Sequence, residues 1–203
     1  MDQPNFEDAK AYVLRRLETE LSPRLIYHTL AHTRDEVVPA VEQLAASEDI
    51  SGEDLLLLRT AAYFHDIGYI VDPNGHEITS IRIAKEVLPG FGYTSSQIAV
   101  IEGIILATKL PQSPHNLLEQ VMADGDLDGL GRDNFLARGL NLRSEQAEFG
   151  RRLTDEQWYL EQIHFLQAHR YWTRTAQTLR EPQKQENIAT LNRLLTRIRS
   201  RAG

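Results

Sequence analysis

The sequence contains no cysteine among its 203 residues. This absence excludes disulfide bonds, thiolate metal sites and cysteine nucleophiles, and it favours a cytoplasmic protein. Long hydrophobic runs are also missing, since no apolar stretch approaches the roughly 20 residues that span a bilayer. The acidic, polar N-terminus is unlike a secretory signal or an Arg-rich transit peptide. We therefore expect neither a membrane span nor a membrane partner.

Basic charge is scarce as well, because 22 lysines and arginines stand against 29 acids, for a formal net charge of −7. Proteins that bind duplex nucleic acid need a basic surface to displace counterions. The most basic stretch, residues 193–201, is interpreted as the solvated face of an amphipathic helix. We expect no duplex partner. An acidic protein that handles an anionic substrate needs local positive charge, such as a cation in its site.

Apolar residues recur along most of the chain at the spacing of an α-helix. Residues 54–64 are apolar nearly all round, which is typical of a central buried helix, and capping boxes begin at Thr94 and Thr154. Ser113-Pro114 is a further candidate helix start, and Gly68 a candidate left-handed helix end. We predict an all-α protein of about nine or ten helices. It would form one domain over residues 1–203, with the chemistry in about 25–130 and additional C-terminal helices in about 131–203.

Side chains that commonly bind metals are concentrated in four places: His28 and His32, His65 and Asp66, His76 and Glu77, and Asp124, Asp126 and Asp128. Neighbouring helical residues point about 100° apart, so His65 and Asp66 can share an ion only where the helix ends. An imidazole and an acid at the end of an apolar helix also lose hydration, which a metal would compensate. Each motif taken alone is more typical of capping or solvated residues than of metal ligands.

In this order, His32, then His65-Asp66, then Asp124 after Met122-Ala123, the chain resembles the HD phosphohydrolase superfamily over about residues 25–130. The resemblance implies a compact helical bundle that holds one divalent metal through His32, His65, Asp66 and Asp124. His32 is preferred to His28 because His32-Thr33 approximates the family's His-Thr-x-x-Val start, and the reversed assignment stays open. Asp126 and Asp128 would then be helix caps or neighbours of the ligands.

The resemblance also implies a function. A metal-activated water would hydrolyse a phosphomonoester or phosphodiester, with Asp66 orienting the water and with His76 and Lys109 near the phosphate as positive partners or acid. Two imidazoles and two carboxylates suit Mn²⁺, Fe²⁺, Co²⁺, Ni²⁺ or Zn²⁺, with Mg²⁺ possible. The partner would be a nucleotide-like or other small phosphorylated substrate, and a homo-oligomer is left open. Side chains that could line the mouth are Glu77, Arg143 and His169.

Two other functions stay open at this point. One is a non-catalytic metal-binding or nucleotide-binding signalling module of the same fold. The other is a two-iron oxygenase, which is disfavoured because the further pair of histidines used by two-metal relatives is missing from residues 104–109. Tyr69 stands where the cyclic dinucleotide phosphodiesterases have lysine after His-Asp-Ile-Gly, so that activity is not supported.

Overall fold

The computed structural model describes residues 4–202, with side chains described for residues 4–200. This part of the chain contains nine α-helices and no β-strand, which confirms the all-α prediction. None of the described helices combines the length and apolar character needed to cross a bilayer.

The chain divides into two compact units. The N-terminal unit consists of the residues up to Pro23 and of His28–Leu127, and the C-terminal unit consists of Arg24–Tyr27 and the residues from Asp128 onward. The helices of the N-terminal unit are α1 (Phe6–Glu20), α2 (Val38–Ser47), α3 (Gly52–Phe64), α4 (His76–Val87), α5 (Ser95–Leu106) and α6 (Leu117–Asp126). Its short turns are a π-helical turn at His32–Val37 and 3-10 turns at Ile67–Ile70 and Leu88–Phe91.

Helix α3 is the centre of the N-terminal unit. It contacts α1, α2, α4, α5 and α6 as well as the π-helical turn. Leu58, Ala61, Ala62 and Phe64 are fully buried along it, which confirms the prediction of a central apolar helix. Every residue from Thr60 to Tyr69 is buried, so the residues that follow the C-terminus of α3 emerge inside the unit rather than at its surface.

The C-terminal unit contains α7 (Phe135–Glu148), α8 (Asp155–Ala168) and α9 (Arg174–Ala202), with a 3-10 turn at Asp128–Gly131. The buried Asp128 carboxylate accepts hydrogen bonds from Arg132 and, at 2.6 Å, from Arg180 of α9. Asn187 of α9 donates to the carbonyl oxygen of Leu130 at 3.0 Å. Asp128 therefore anchors this turn to α9.

The local sequence signals succeed where the contacts are local. Thr94 and Thr154 both form complete capping boxes, as predicted. Ser113-Pro114 does not begin a helix, because α6 starts at Leu117 and the side chain of Asn116 caps it.

Gly68 is not a left-handed helix end, because α3 already stops at Phe64 and Gly68 lies within the following 3-10 turn. It is instead a point of close approach between backbones. A β-carbon built at Gly68 would overlap the carbonyl oxygen of His76 at the start of α4.

Candidate metal centre

His65 and Asp66 follow directly after the last residue of α3. The side chain of His65 is fully buried, and its Nδ1 lies 2.8 Å from the carbonyl oxygen of Ala62. Since a carbonyl oxygen can only accept, Nδ1 carries a hydrogen and the other ring nitrogen, Nε2, bears the lone pair of the neutral ring. That buried Nε2 has no hydrogen-bond partner. It lies 3.2 Å from Asp66 Oδ2 and 3.4 Å from Asp126 Oδ1.

His32 approaches the same carboxylates from the π-helical turn. Its Nδ1 lies 3.0 Å from Glu36 Oε2, so the Nδ1 hydrogen is donated to that carboxylate and the lone pair is placed on Nε2. The Nε2 atom lies 3.9 Å from Asp66 Oδ2 and 3.9 Å from Asp126 Oδ1. A π-helical turn is an uncommon local geometry that often marks a functional site.

Electrostatics within the group favour a positive charge. Burial by itself lowers the pKa of His65, but the carboxylates of Asp66 and Asp126 outweigh it and raise the pKa well above the ordinary value. Burial likewise acts to raise the pKa of Asp66, but His65 and the nearby His28 and His76 bring it below its usual range. The buried carboxylates are thus stabilised by a cation between the rings, which a proton or a metal ion can supply.

The donor set fits a divalent metal ion. Among the described residues, one group of three possible ligands has its donor atoms within 4.8 Å of one another, and it consists of His32, His65 and Asp66. All three side chains are buried. The unpartnered Nε2 of His65, directed at carboxylate oxygens, is the atom that a metal would satisfy.

Two acidic residues of α6 are candidates for a fourth ligand of the ion. Asp124, which the resemblance selects, is fully buried. Asp126 ends the helix and brings its Oδ1 to 3.4 Å from His65 Nε2 and 3.9 Å from His32 Nε2. The assignment of Asp124 as a ligand stays a prediction, and these distances make Asp126 a second candidate. The remaining acid of this run, Asp128, binds Arg132 and Arg180 as described above.

His76 approaches the opposite side of Asp66. Its Nε2 lies 3.4 Å from Asp66 Oδ1, the oxygen other than the one nearest His65, and 3.8 Å from Glu77 Oε1. The ring of Tyr69 stacks on that of His76 with 4.1 Å between centroids, and on that of His28 with 4.3 Å. His28 therefore contacts the aromatic residue beside the group, whereas His32 belongs to the group of three.

The other predicted residues are placed as follows. Lys109 is exposed in the turn after α5, so its role near a phosphate stays a prediction. Arg143 donates to Asp155 and to the carbonyl oxygen of Leu153, both at 2.7 Å within the C-terminal unit.

His169, in the same unit, lies beside the buried Lys184, whose Nζ donates to the His169 carbonyl oxygen at 2.9 Å. Burial, followed by the charge of Lys184, lowers the pKa of His169 to about 4.

Sequence reasoning missed three residues that shape the group. Glu36 orients His32, Tyr69 stacks on His76, and Ser80 of α4 joins the His-Asp segment to α4. The Ser80 hydroxyl accepts from the Gly68 N–H at 2.8 Å and donates to the His65 carbonyl oxygen at 2.6 Å. The four-residue spacing of His32 and Glu36 is a signal that could have been found. Nothing local in the sequence distinguishes Ser80.

Comparison with known proteins is consistent with this geometry. Residues 15–126, more than half of the chain, match the family model of the HD domain. An uncharacterized protein of Clostridium beijerinckii is 34% identical over 98 residues, which make up 47% of this chain and 61% of that protein. The chain thus spans less than two thirds of that relative's length.

Two solved structures share the fold. A predicted HD superfamily hydrolase from an uncultured Thermotogales bacterium has a TM-score of 0.64 and 18% identity, over 96% of this chain and 93% of that one. A Lactobacillus plantarum protein has a TM-score of 0.69 and 18% identity, over 97% and 96% of the two chains. At this level of identity the likeness concerns the fold alone.

Proposed function

The chain belongs to the HD domain family, and from that premise we propose that it is a metal-dependent phosphohydrolase acting on a nucleotide-like or other small phosphorylated substrate. The observation that carries the proposal is the buried group of His32, His65 and Asp66, in which the unpartnered His65 Nε2 faces carboxylate oxygens. Such a group is costly to bury unless a cation completes it. We place the protein in the cytoplasm.

His32, His65 and Asp66 would hold the ion, together with Asp124 or Asp126 from α6. Mixed nitrogen and oxygen donors suit Mn²⁺, Fe²⁺, Co²⁺, Ni²⁺ or Zn²⁺, and allow Mg²⁺. When bound, a divalent ion in such a site supplies Lewis-acid polarisation of a phosphoryl oxygen and lowers the pKa of a water molecule. Glu36 supports this arrangement by keeping the lone pair of His32 on Nε2.

The remaining steps belong to side chains of the protein. Asp66 Oδ1, on the side of His76, can accept a hydrogen bond from the attacking water and orient it. His76 Nε2 can donate a proton to the leaving ester oxygen or a hydrogen bond to the phosphate. Lys109 would add a positive charge near the phosphate, which an acidic protein needs to attract an anion.

A metal-dependent assay tests the proposal. The full chain, freed of metal and then loaded in turn with Mn²⁺, Fe²⁺, Co²⁺, Ni²⁺, Zn²⁺ and Mg²⁺, would be assayed with p-nitrophenyl phosphate, bis-p-nitrophenyl phosphate and a nucleotide panel. We expect turnover that requires one ion per chain and disappears in His65→Ala. Asp128→Asn is a poor control because it breaks a buried ion pair. Glu86→Gln, at an exposed position of α4, serves instead. Tight nucleotide binding without turnover under all metals would establish the non-catalytic module.

The metal content of the same preparations would show whether His32 or His28 is the ligand that precedes His65 in the chain. We expect His32→Ala to lose most of its bound metal and His28→Ala to retain it, because His32 Nε2 faces the carboxylates while His28 stacks on Tyr69. The reverse result would exchange the two roles.

A further inference from the structure

The two oxygens of the Asp66 carboxylate face different partners. Oδ2 lies 3.2 Å from His65 Nε2, within the group of three, whereas Oδ1 lies 3.4 Å from His76 Nε2. A water molecule oriented by Oδ1 would therefore be next to His76. The direction of the His76 ring decides whether its Nε2 reaches that position.

The polar contacts of His76 are too long to fix its ring. Its Nδ1 lies 3.4 Å from the carbonyl oxygen of Pro73, and its Nε2 lies 3.8 Å from Glu77 Oε1. Both distances exceed those of strong hydrogen bonds. His76 is also the first residue of α4, preceded by Gly75 in a left-handed conformation, so it lies where a helix frays most easily. Something other than hydrogen bonding must hold the ring.

The closest ring contact of His76 is with Tyr69. The two centroids lie 4.1 Å apart with 24° between the planes, and the Tyr69 ring also stacks on His28 at 4.3 Å and 17°. Offset stacks at such distances are favourable and restrict rotation of both rings. Tyr69 is itself 9% exposed, so its ring is held in one place by its surroundings.

The backbone that carries Tyr69 is fixed to α4. The Tyr69 N–H donates to the Asp66 carbonyl oxygen at 3.1 Å, which closes the 3-10 turn. The buried Ser80 hydroxyl bonds both the Gly68 N–H and the His65 carbonyl oxygen, and the missing β-carbon of Gly68 allows α4 to approach. The position of the Tyr69 ring is thus set by the same turn that carries Asp66.

We propose that Tyr69 is a positioning residue, whose ring holds the His76 imidazole so that Nε2 stays beside Asp66 Oδ1. The inference rests on the proposed function, in which His76 acts on the substrate. Tyr69 itself does not touch the reacting atoms. Its removal should therefore slow the chemical step and leave both metal binding and substrate affinity nearly unchanged.

Kinetics of four variants test the proposal with Mn²⁺-loaded full chain and bis-p-nitrophenyl phosphate: Tyr69→Phe, Tyr69→Leu, His76→Gln and the double variant Tyr69→Leu/His76→Gln. Loss of orientation of a reacting group by about 1 Å can cost about 100-fold in rate. We expect Tyr69→Leu to lower kcat by about 10- to 100-fold with KM within about twofold. Tyr69→Phe, which keeps the ring, should restore kcat to within about threefold of the wild type.

The double variant separates positioning from an independent effect. If Tyr69 acts through His76, Tyr69→Leu should cause no further loss once His76 is Gln, because the group to be positioned is gone. Tyr93→Leu is the matched control, since Tyr93 is a buried aromatic residue that hydrogen-bonds Thr60 away from the group. It should lose stability comparably and keep its kcat. Losses that multiply in the double variant, or a Tyr69→Phe as slow as Tyr69→Leu, would overturn the proposal.

A structural readout keeps the test independent of the proposed activity. Crystal structures of Tyr69→Leu and Tyr69→Phe would give the distance from His76 Nε2 to Asp66 Oδ1, and elemental analysis would give the metal content. We expect the distance to increase or the ring to become disordered only in Tyr69→Leu, with equal metal content. An unmoved His76 in Tyr69→Leu refutes the positioning role. A wild type without any phosphoesterase activity refutes the proposed function instead, whatever the crystal structures show.

Discussion

The Nδ1 atom of His32 lies 3.0 Å from Oε2 of Glu36, one π-helical turn further along the chain. Because the carboxylate can only accept, the Nδ1 hydrogen is fixed towards Glu36 and the lone pair of the neutral ring lies on Nε2. The Ala62 carbonyl oxygen, 2.8 Å from Nδ1 of His65, accepts the hydrogen of that ring in the same way. Both imidazoles are therefore held in the tautomer that presents Nε2 to the carboxylates of the candidate metal centre.

Removing the Glu36 carboxylate should weaken metal binding. Loss of a partner that orients a ligand typically lowers metal affinity about 10- to 100-fold, and we expect Glu36→Ala to fall in this range. Glu36→Gln keeps an acceptor oxygen and should lose less. Competition against a fluorescent chelator would measure both affinities. Glu86→Gln, which removes an exposed carboxylate of α4, is the control and should bind metal as the wild type does. An unchanged affinity in Glu36→Ala would show that His32 needs no such partner.

The fourth ligand can be identified by removing one acid of α6 at a time. We expect Asp126→Asn to lose most of its bound metal, because Asp126 Oδ1 lies 3.4 Å from His65 Nε2. Elemental analysis on folded variants, accompanied by thermal melts, would report it. Asp124→Asn is the parallel measurement. If Asp124→Asn loses its metal and Asp126→Asn keeps it, then Asp124, the ligand implied by the family resemblance, is established. Asp126, inferred from its distance to His65, is then refuted as a ligand.

A β-carbon at position 68 should force α4 away from the 3-10 turn. The methyl group of Gly68→Ala would overlap the His76 carbonyl oxygen, a backbone atom that cannot move alone. Overpacking of this kind costs about 1–3 kcal/mol of unfolding free energy, which chemical denaturation would measure. Gly90→Ala, at a position with open space around its β-carbon, is the matched control and should not be destabilised. Equal stability of the two variants would show that the backbones separate without cost.

His169 should make the stability of the protein depend on pH in a defined window. Burial and the neighbouring Lys184 lower the pKa of His169 to about 4, against an ordinary value of 6.5 for histidine. Between pH 6.5 and 4 the unfolded chain binds a proton that the folded chain does not, so this group's contribution is present above pH 6.5 and is lost as the pH falls towards 4. The slope stays below about 1.4 kcal/mol per pH unit, because the two states differ by at most one proton on this group. Solvent screening of the partly exposed ring makes the total effect smaller.

The measurement is the difference in unfolding free energy between the wild type and His169→Asn from pH 7.5 to 4.5. The difference should change in that window and be level above it. Replacing the neighbouring cation, in Lys184→Met, should raise the pKa of His169 in an NMR titration. The carboxylate of Glu181 acts in the opposite direction and remains in that variant. A His169 pKa near its ordinary value in the wild type would remove the basis of the prediction.

The sequence by itself determined the features that depend on neighbours along the chain. The apolar run of α3 required a buried helix, the capping boxes at Thr94 and Thr154 satisfied their own first turns, and the adjacency of His65 and Asp66 at the end of α3 indicated a metal centre. The helix and cap predictions succeed because the periodicity and the cap each involve residues within a few positions of one another, and the metal centre stays a prediction.

Only the tertiary structure decided which distant side chains lie beside the candidate centre. Asp126 reaches His65 across 61 positions of sequence, and Tyr69 meets His76 because Ser80 and the bare Gly68 bring α4 against the 3-10 turn. The π-helical turn at His32 could not be predicted from the sequence either, since its residues have no pattern distinct from that of an ordinary helix. Such contacts depend on the packing of whole helices. Asp124 and Asp126 point in different directions from α6, so the rotation and register of the whole helix decide which of them faces the histidines, and no local signal records that choice.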